Sequence, residues 1–200
     1  MAQKPIWIMT MKMKRTIIMT MNFFCLLMIE MMGKGGELAG KLQTQLSAVL
    51  LGHEVKDQAS ALIGYGADRV YLVDNPAFKS LSTEPRLSAL TSLVVRHKPD
   101  IILVGSTKRG REIASRLAAR LETGCVPDCT KLSVDEQRRL VTERMVYGGN
   151  ATVTQVFQVK PQIACVPPRA FEKPQFREKK GEVIEESAIQ LEQPRIETVE

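Results

Sequence analysis

Between Asp100 and Leu121 the chain runs a short apolar stretch, Ile101 to Val104, through Gly105, Ser106 and Thr107 into a segment of helical periodicity. An unbroken apolar run of this length predicts a strand covered on both faces, as in a parallel sheet. The three small residues supply a tight turn and hydroxyls able to cap a helix. Ile113, Leu117 and Leu121 then recur at four-residue spacing with Ala114 and Ala118 beside them, a stripe that can lie close on a sheet. Lys108, Arg109, Arg111, Arg116 and Arg120 take the other faces.

The same alternation fills the first 121 residues. Residues 6–9 predict a first strand and 30–43 a helix, although Gly33, Gly35, Gly36 and Gly40 lower its intrinsic propensity. A strand over 46–51, a helix over 55–65 stopped by Gly64-Tyr65-Gly66, and a strand over 70–73 follow. Thr83 caps a further helix with Pro85 in its first turn, and Lys98-Pro99 ends it. Strand alternating with helix at this spacing implies a parallel sheet with helices on both faces. Beyond Leu121 the pieces shorten: 124–126, 131–134, 139–147, 151–159 and 162–166. Alternation of Val153, Gln155, Phe157 and Val159 predicts antiparallel or edge strands with one face wet. From residue 171 the chain is charged and strand-poor apart from Val183-Ile184, and Glu185-Glu186 reads as solvation. The fold class expected is therefore α/β, a doubly wound, mostly parallel five-stranded sheet with extra antiparallel C-terminal strands. Residues 1–170 form the domain and 171–200 a charged linker or tail.

Charge narrows the partners only slightly. Lys and Arg number 28 against 22 Asp and Glu, a net charge of +6, but the basic residues are dispersed and aromatics are few, so nucleic acid is not an expected partner. Cys25, Cys125, Cys129 and Cys165 make neither a disulfide framework nor a paired CxxC array, which suits a reduced, intracellular (cytoplasmic) chain with no metal. Lys12, Lys14 and Arg15 precede an apolar segment over 16–29 that superficially resembles a signal peptide or membrane anchor. It is shorter than the roughly 18–20 residues a membrane helix requires and is diluted by Thr16, Thr20 and Asn22. A core segment or a covered apolar surface is the plainer reading, and membrane attachment is not expected.

Several stretches, in order, resemble one family. Gly33-Lys34-Gly35-Gly36 within residues 29–39, residues 46–53 and 65–71, Lys98-Pro99-Asp100 through Thr107, and Gly110-Arg111 followed by residues 116–121 are similar to the N-terminal domain of electron transfer flavoprotein α-subunits. Gly124-Cys125-Val126-Pro127-Asp128-Cys129-Thr130, Tyr147-Gly148-Gly149-Asn150 and Lys160-Pro161-Gln162 through Phe171 continue the likeness, which covers roughly residues 29–171. The resemblance implies an adenine-nucleotide-binding-like α/β fold serving as a scaffold for a β-subunit. It implies an electron carrier that accepts electrons from flavin-linked dehydrogenases, with FAD held in the complete assembly mainly on a separate C-terminal α domain. Because residues 171–200 carry no flavin fingerprint, this chain alone is expected to hold no FAD. The longer, Met-rich apolar stretch over 10–28 departs from the family pattern.

No Ser-His-Asp order, Cys-His pair or paired carboxylates support a catalytic site, so no catalytic residue is assigned and an electron carrier subunit, not an enzyme, is expected. The candidate cofactor-binding residues are Gly105, Ser106, Thr107, Arg109 and Arg111, where a phosphate could meet a helix N-terminus. A capped helix with solvated arginines accounts for the same residues. Gly148-Gly149-Asn150 could approach a cofactor or form a hairpin turn. Gly33-Lys34-Gly35-Gly36 resembles a glycine loop but falls inside a helix, and His53 and His97 read as surface residues. The alternative function is a free-standing AMP- or ATP-binding module of the same fold.

Overall fold

Among the described residues, seven parallel strands form the main sheet. The computed structural model describes residues 16–21, 26–79 and 82–193, with backbone only for 16–21. The strands are β1 (Thr16–Met21), β2 (Gln45–Gly52), β3 (Arg69–Asp74), β4 (Ile101–Gly105), β5 (Cys125–Val126), β9 (Gln162–Val166) and β10 (Glu182–Glu185). Their order across the sheet is β10-β3-β2-β1-β4-β9-β5. Between β5 and β9 the chain inserts a separate antiparallel sheet, β6 (Lys131–Val134), β7 (Leu140–Val146) and β8 (Ala151–Val156). The expected α/β fold is present, but five strands is corrected to seven. Residues 125–126 and 162–166 read as short wet pieces, yet they extend the parallel sheet, and β9 is buried along its whole length. Continuous burial is the property of parallel strands covered on both faces.

β1 is the central strand, pairing β2 on one side and β4 on the other, Met19 opposite both Ala48 and Leu103. The apolar stretch over 16–29 therefore divides into a strand and the start of α1 (Leu26–Leu42). Among the described residues no helix is long and apolar enough to cross a membrane. The first strand expected at residues 6–9 lies outside the described residues.

Among the described residues four α-helices cover the sheet: α1, α2 (Lys56–Gly64), α3 (Thr83–His97) and α4 (Lys108–Arg120). One core collects α1 and α2 against Leu46, Ala48, Leu50, Val70 and Leu72, and the other collects α3 and α4 against Val49, Leu51, Tyr71 and Ile163. The alternation within β2 places Leu46 and Leu50 on one face and Val49 and Leu51 on the other, as strand geometry requires. The glycines of α1 each cost about 1 kcal/mol against alanine. Met28, Met31, Met32, Leu38 and Leu42 are buried on its inner face, and at about 1.5–3 kcal/mol each they outweigh that cost.

From residue 167 to 193 the chain lies along the domain as a strap. The Arg169 amide donates to buried Glu30 (2.7 Å), and Lys34 sits 5.4 Å over the Phe171 ring. A Cβ at Gly33 would lie 2.8 Å from the Glu172 carbonyl oxygen, so glycine in mid-helix is what lets the strap cross α1. Phe176 then covers Gly64 on α2 and meets Tyr65 edge-on at 5.3 Å. β10 adds itself in parallel to β3, with ion pairs Arg69–Glu182 (3.2 Å) and Lys56–Glu185 (2.5 Å). Glu186, expected from the sequence to be solvated, is 8% exposed, contacts Arg96 and lies 2.9 Å from His97 Nε2. The strap finally crosses α3 to α4, where the Glu192 amide donates to Ser88 Oγ (3.0 Å) and its carboxylate meets Arg120 (2.8 Å).

Candidate functional site

Ligands of open parallel sheets bind beyond the carboxyl ends of the strands, at the point where strand order reverses. Here that point lies between β1 and β4, and the turn leaving β4 is Gly105-Ser106-Thr107. Thr107 is the N-cap of α4, its Oγ1 accepting from the Gly110 amide at 3.0 Å. The Ser106 amide donates to the Val166 carbonyl (2.7 Å), tying the turn to β9. A Cβ at Gly110 would stand 1.9 Å from the Gly105 carbonyl oxygen, so the first turn of α4 is pressed onto the strand end. Only glycine permits that approach.

An acid closes the turn. The buried Ser106 hydroxyl donates to Asp128 Oδ1 at 2.5 Å, and Arg111 Nη1 reaches the same oxygen at 3.4 Å. Asp128 follows β5 at a φ of +53°, a left-handed position that a Pro-Asp turn accepts more readily than most. Ser106, Thr107 and Arg111 are thus drawn into one hydrogen-bonded turn, while Arg109 stands apart from that cluster on the exposed side of α4. Burial, and after it the neighbouring Arg109, lower the pKa of the Arg86 guanidinium, which donates to the carbonyls of Ser82 (2.8 Å) and Phe78 (2.6 Å). The residues of the turn do not fit the pyrophosphate of FAD: the donors of Thr107's cap and Ser106's hydroxyl are satisfied internally, and the Asp128 carboxylate occupies the place of an anion. Asp128 and Gly110 are the residues sequence reasoning did not single out as parts of this turn; Pro127-Asp128 after a short strand was their only local signal.

The neighbouring strand ends are capped similarly. Asp74, ending β3, accepts from the Glu54 amide (2.8 Å) and the Val55 amide (3.0 Å) and so anchors the start of α2, with His53 Nδ1 3.9 Å away. His97 is not a free surface residue: its ring stacks on Tyr71 at 4.1 Å between centroids. Gly33-Lys34-Gly35-Gly36 lies inside α1, and Lys34 pairs with Glu37 at 2.7 Å. Gly148 and Gly149 form the β7–β8 turn with positive φ, and Tyr147 at its tip is 82% exposed. At the opposite end of the strands, where the chain enters β4 and β9, a cleft of about 840 Å³ opens between Val95, His97, Lys98, Leu121 and Pro161. Among the described residues no three His, Cys, Asp or Glu side chains gather as metal ligands.

A doubly wound parallel sheet with a capped, glycine-tight turn at its switch point defines a nucleotide-binding-like α/β domain. Within that class the chain belongs to the electron transfer flavoprotein domain family, whose family model matches residues 28–191. It is 42% identical over 147 residues to the electron transfer flavoprotein subunit alpha of Clostridium acetobutylicum, covering 72% of this chain and 44% of that protein. It is 38% identical over 154 residues to Protein FixB of Azorhizobium caulinodans (75% and 42%). It is 37% identical over 147 residues to the lactate dehydrogenase (NAD(+),ferredoxin) subunit LctC of Acetobacterium woodii (73% and 35%). The chain thus spans less than half the length of these relatives. The matched region begins after β1, so the central strand comes from a stretch outside it.

Proposed function

We propose that this chain is the scaffold domain of an electron transfer flavoprotein α-subunit. In this reading it pairs with a β-subunit in the cytoplasm, and the complex carries electrons from flavin-linked dehydrogenases to an acceptor. It catalyses no reaction of its own. FAD supplies the redox chemistry in the complete assembly, held on protein outside this chain. The observation that carries the reading is the family match over residues 28–191, which runs through the strap to its end on α4. The self-satisfied Ser106–Asp128–Arg111 turn supports a scaffold over a flavin holder. Co-expression with an electron transfer flavoprotein β-subunit tests it. The chain alone purifies colourless, without the flavin band near roughly 450 nm, and co-elutes with the β-subunit; a yellow chain, or one indifferent to the β-subunit, overturns it.

One observation favours a second reading. Gly105, Ser106, Thr107, Arg109 and Arg111 lie at the switch point, where an AMP- or ATP-binding module of this fold would place its phosphates. Such binding requires the phosphate to displace Asp128 from Ser106 and Arg111. Calorimetry separates the two: micromolar AMP or ATP binding by the chain alone selects the module, and no heat with AMP, ATP or FAD selects the scaffold.

A further inference from the structure

Two of the cysteines meet at the edge of the parallel sheet. Cys125 begins β5, the edge strand, and Cys165 lies on the adjacent β9. Their Sγ atoms are 3.7 Å apart, within contact of one thiol on the other. Both side chains lie on the α3–α4 face of the sheet, Cys165 buried to 1% and Cys125 half-buried at the rim. Cys129, in the core on the opposite face, gives its own thiol to the Val126 carbonyl at 3.3 Å and its amide to the Cys165 carbonyl at 2.8 Å.

We propose that Cys125 and Cys165 are an oxidisable dithiol, a modification site at which peroxide joins β5 to β9 reversibly through a disulfide. Cys125 is the accessible partner. The contact with Cys165 also holds its thiol below the ordinary range, so it supplies the thiolate, while the same contact and burial keep Cys165 protonated above its ordinary range. The Cys125 thiolate attacks one oxygen of hydrogen peroxide, the O–O bond breaks, and Cys125 becomes a sulfenic acid as hydroxide leaves. Cys165 sulfur then displaces the sulfenic hydroxyl, forming the S–S bond, and its proton leaves with that hydroxyl as water. The hydroxide recovers the proton Cys125 first gave up. Two thiols and one peroxide give one disulfide and two waters.

Register decides what the bond does to the fold. Cys125 stands opposite Ile163, so Cys165 is its diagonal neighbour and not its direct one. The sulfurs must close to about 2.05 Å, and Cα atoms more than about 7 Å apart cannot be bridged without backbone movement. β5 can move: it has only two residues, it lies at the sheet's edge, and nothing stands within 4 Å of a Cβ placed on Gly124 before it. The bond therefore draws β5 along β9 and pulls on Asp128, the acid that holds Ser106 and Arg111 at the switch-point turn. A bond formed under such strain has a more oxidising potential than a structural disulfide, which makes it easily reduced again.

The test uses the full chain carrying Cys25→Ser, since Cys25 lies outside the described residues. Treatment with one equivalent of hydrogen peroxide is expected to lower the intact mass by about 2 Da, the loss of two thiol hydrogens. Tandem mass spectrometry should place the link between Cys125 and Cys165, and dithiothreitol should restore the mass. Cys129→Ser keeps the link and Cys125→Ser abolishes it. Amide exchange around residues 125–128 should accelerate on oxidation and recover on reduction, a readout independent of any variant's folding. In the reduced chain, Cys165→Ala should slow alkylation of Cys125 at least several-fold. A link to Cys129, a link between two chains, a sulfinic acid on Cys125 without any link, or unchanged exchange around 125–128 overturns the proposal.

Discussion

At the residue scale the fold turns on a few positions where no side chain fits. Gly110 is the strictest, because the atom a Cβ would strike is the backbone oxygen of Gly105 and not a side chain that could swing away. Gly110→Ala must lift α4 from the end of β4, and overpacking of this kind costs about 1–3 kcal/mol or more. Urea denaturation should show that loss despite alanine's better helix propensity; an unchanged midpoint would mean that α4 is not seated on the turn. Gly64→Ala differs, since its Cβ meets the outer edge of the Phe176 ring, a group with freedom to move. Its cost should fall near zero once the roughly 1 kcal/mol gain in helix propensity is added. Cys129 makes a chemical prediction. Burial pushes its thiol up to about 12, so it stays neutral across the working range. At pH 8.5 iodoacetamide should leave Cys129 unmodified in the folded chain and label it in urea. None of these roles could be read from the sequence beforehand: a helical glycine looks like weak propensity until the strand or strap that crosses it is known.

At the element scale, parallel strands were legible because burial on both faces writes an uninterrupted apolar run, as in Ala48 to Leu51, Val70 to Val73 and Ile101 to Val104. β1 was not, because its mixed threonines, isoleucines and methionines follow a basic cluster and imitate the start of an export signal. β5 and β9 were misjudged for a different reason: two and five residues carry too little periodicity to reveal their neighbours, and burial alone separates them from the β6–β8 insert. The insert itself is fixed by a turn whose pH dependence can be assigned. Asp135 accepts from the Arg139 amide (2.8 Å) and from Arg139 Nε (2.7 Å), and these bonds, the backbone one first, hold its carboxyl below the ordinary range. A carboxylate lowered in the folded state adds stability that is present above its unfolded pKa and disappears as pH falls through the folded one. Asp135→Asn should therefore be less stable than the parent at pH 7. The two should converge as pH drops below about 4; a gap that persists at low pH would assign the turn's stability to something other than this charge.

At the scale of the whole molecule, the segment from 167 to 193 is the part least visible in sequence and most consequential in structure. Its composition is charged because each short piece touches the domain on one side only and shows the other to water, so no stretch builds the periodicity of a strand or helix. Yet it passes over α1, α2, the edge of the sheet, α3 and α4 in turn, binding both layers to one band. Glu186 is its deepest polar anchor, a nearly buried carboxylate whose loss would leave Arg96 and His97 facing an emptied contact. Losing a hydrogen bond to a charged group of this kind costs about 1.5–3 kcal/mol. Glu186→Ala should lose stability on that order. Its amide exchange should rise first in Glu182–Glu185 and the 186–193 segment, with β2 and β4 unchanged near the midpoint of protection. Ending the chain after residue 170 extends the argument. A linker could be removed without cost, whereas removing this band uncovers Ile63, Gly64 and the outer edge of β3 together and deletes the contacts of Ile184, Ile189 and Leu191 with the α3–α4 core. Those three side chains, even half-credited for partial burial at about 1 kcal/mol each, add to the loss of the Glu186 anchor. The shortened chain should therefore be at least as destabilised as Glu186→Ala in urea, and should bind a hydrophobic dye where the parent does not. Equal stability of the shortened and full chains would return residues 171–193 to the status of a linker and leave the other six strands to stand on their helices alone.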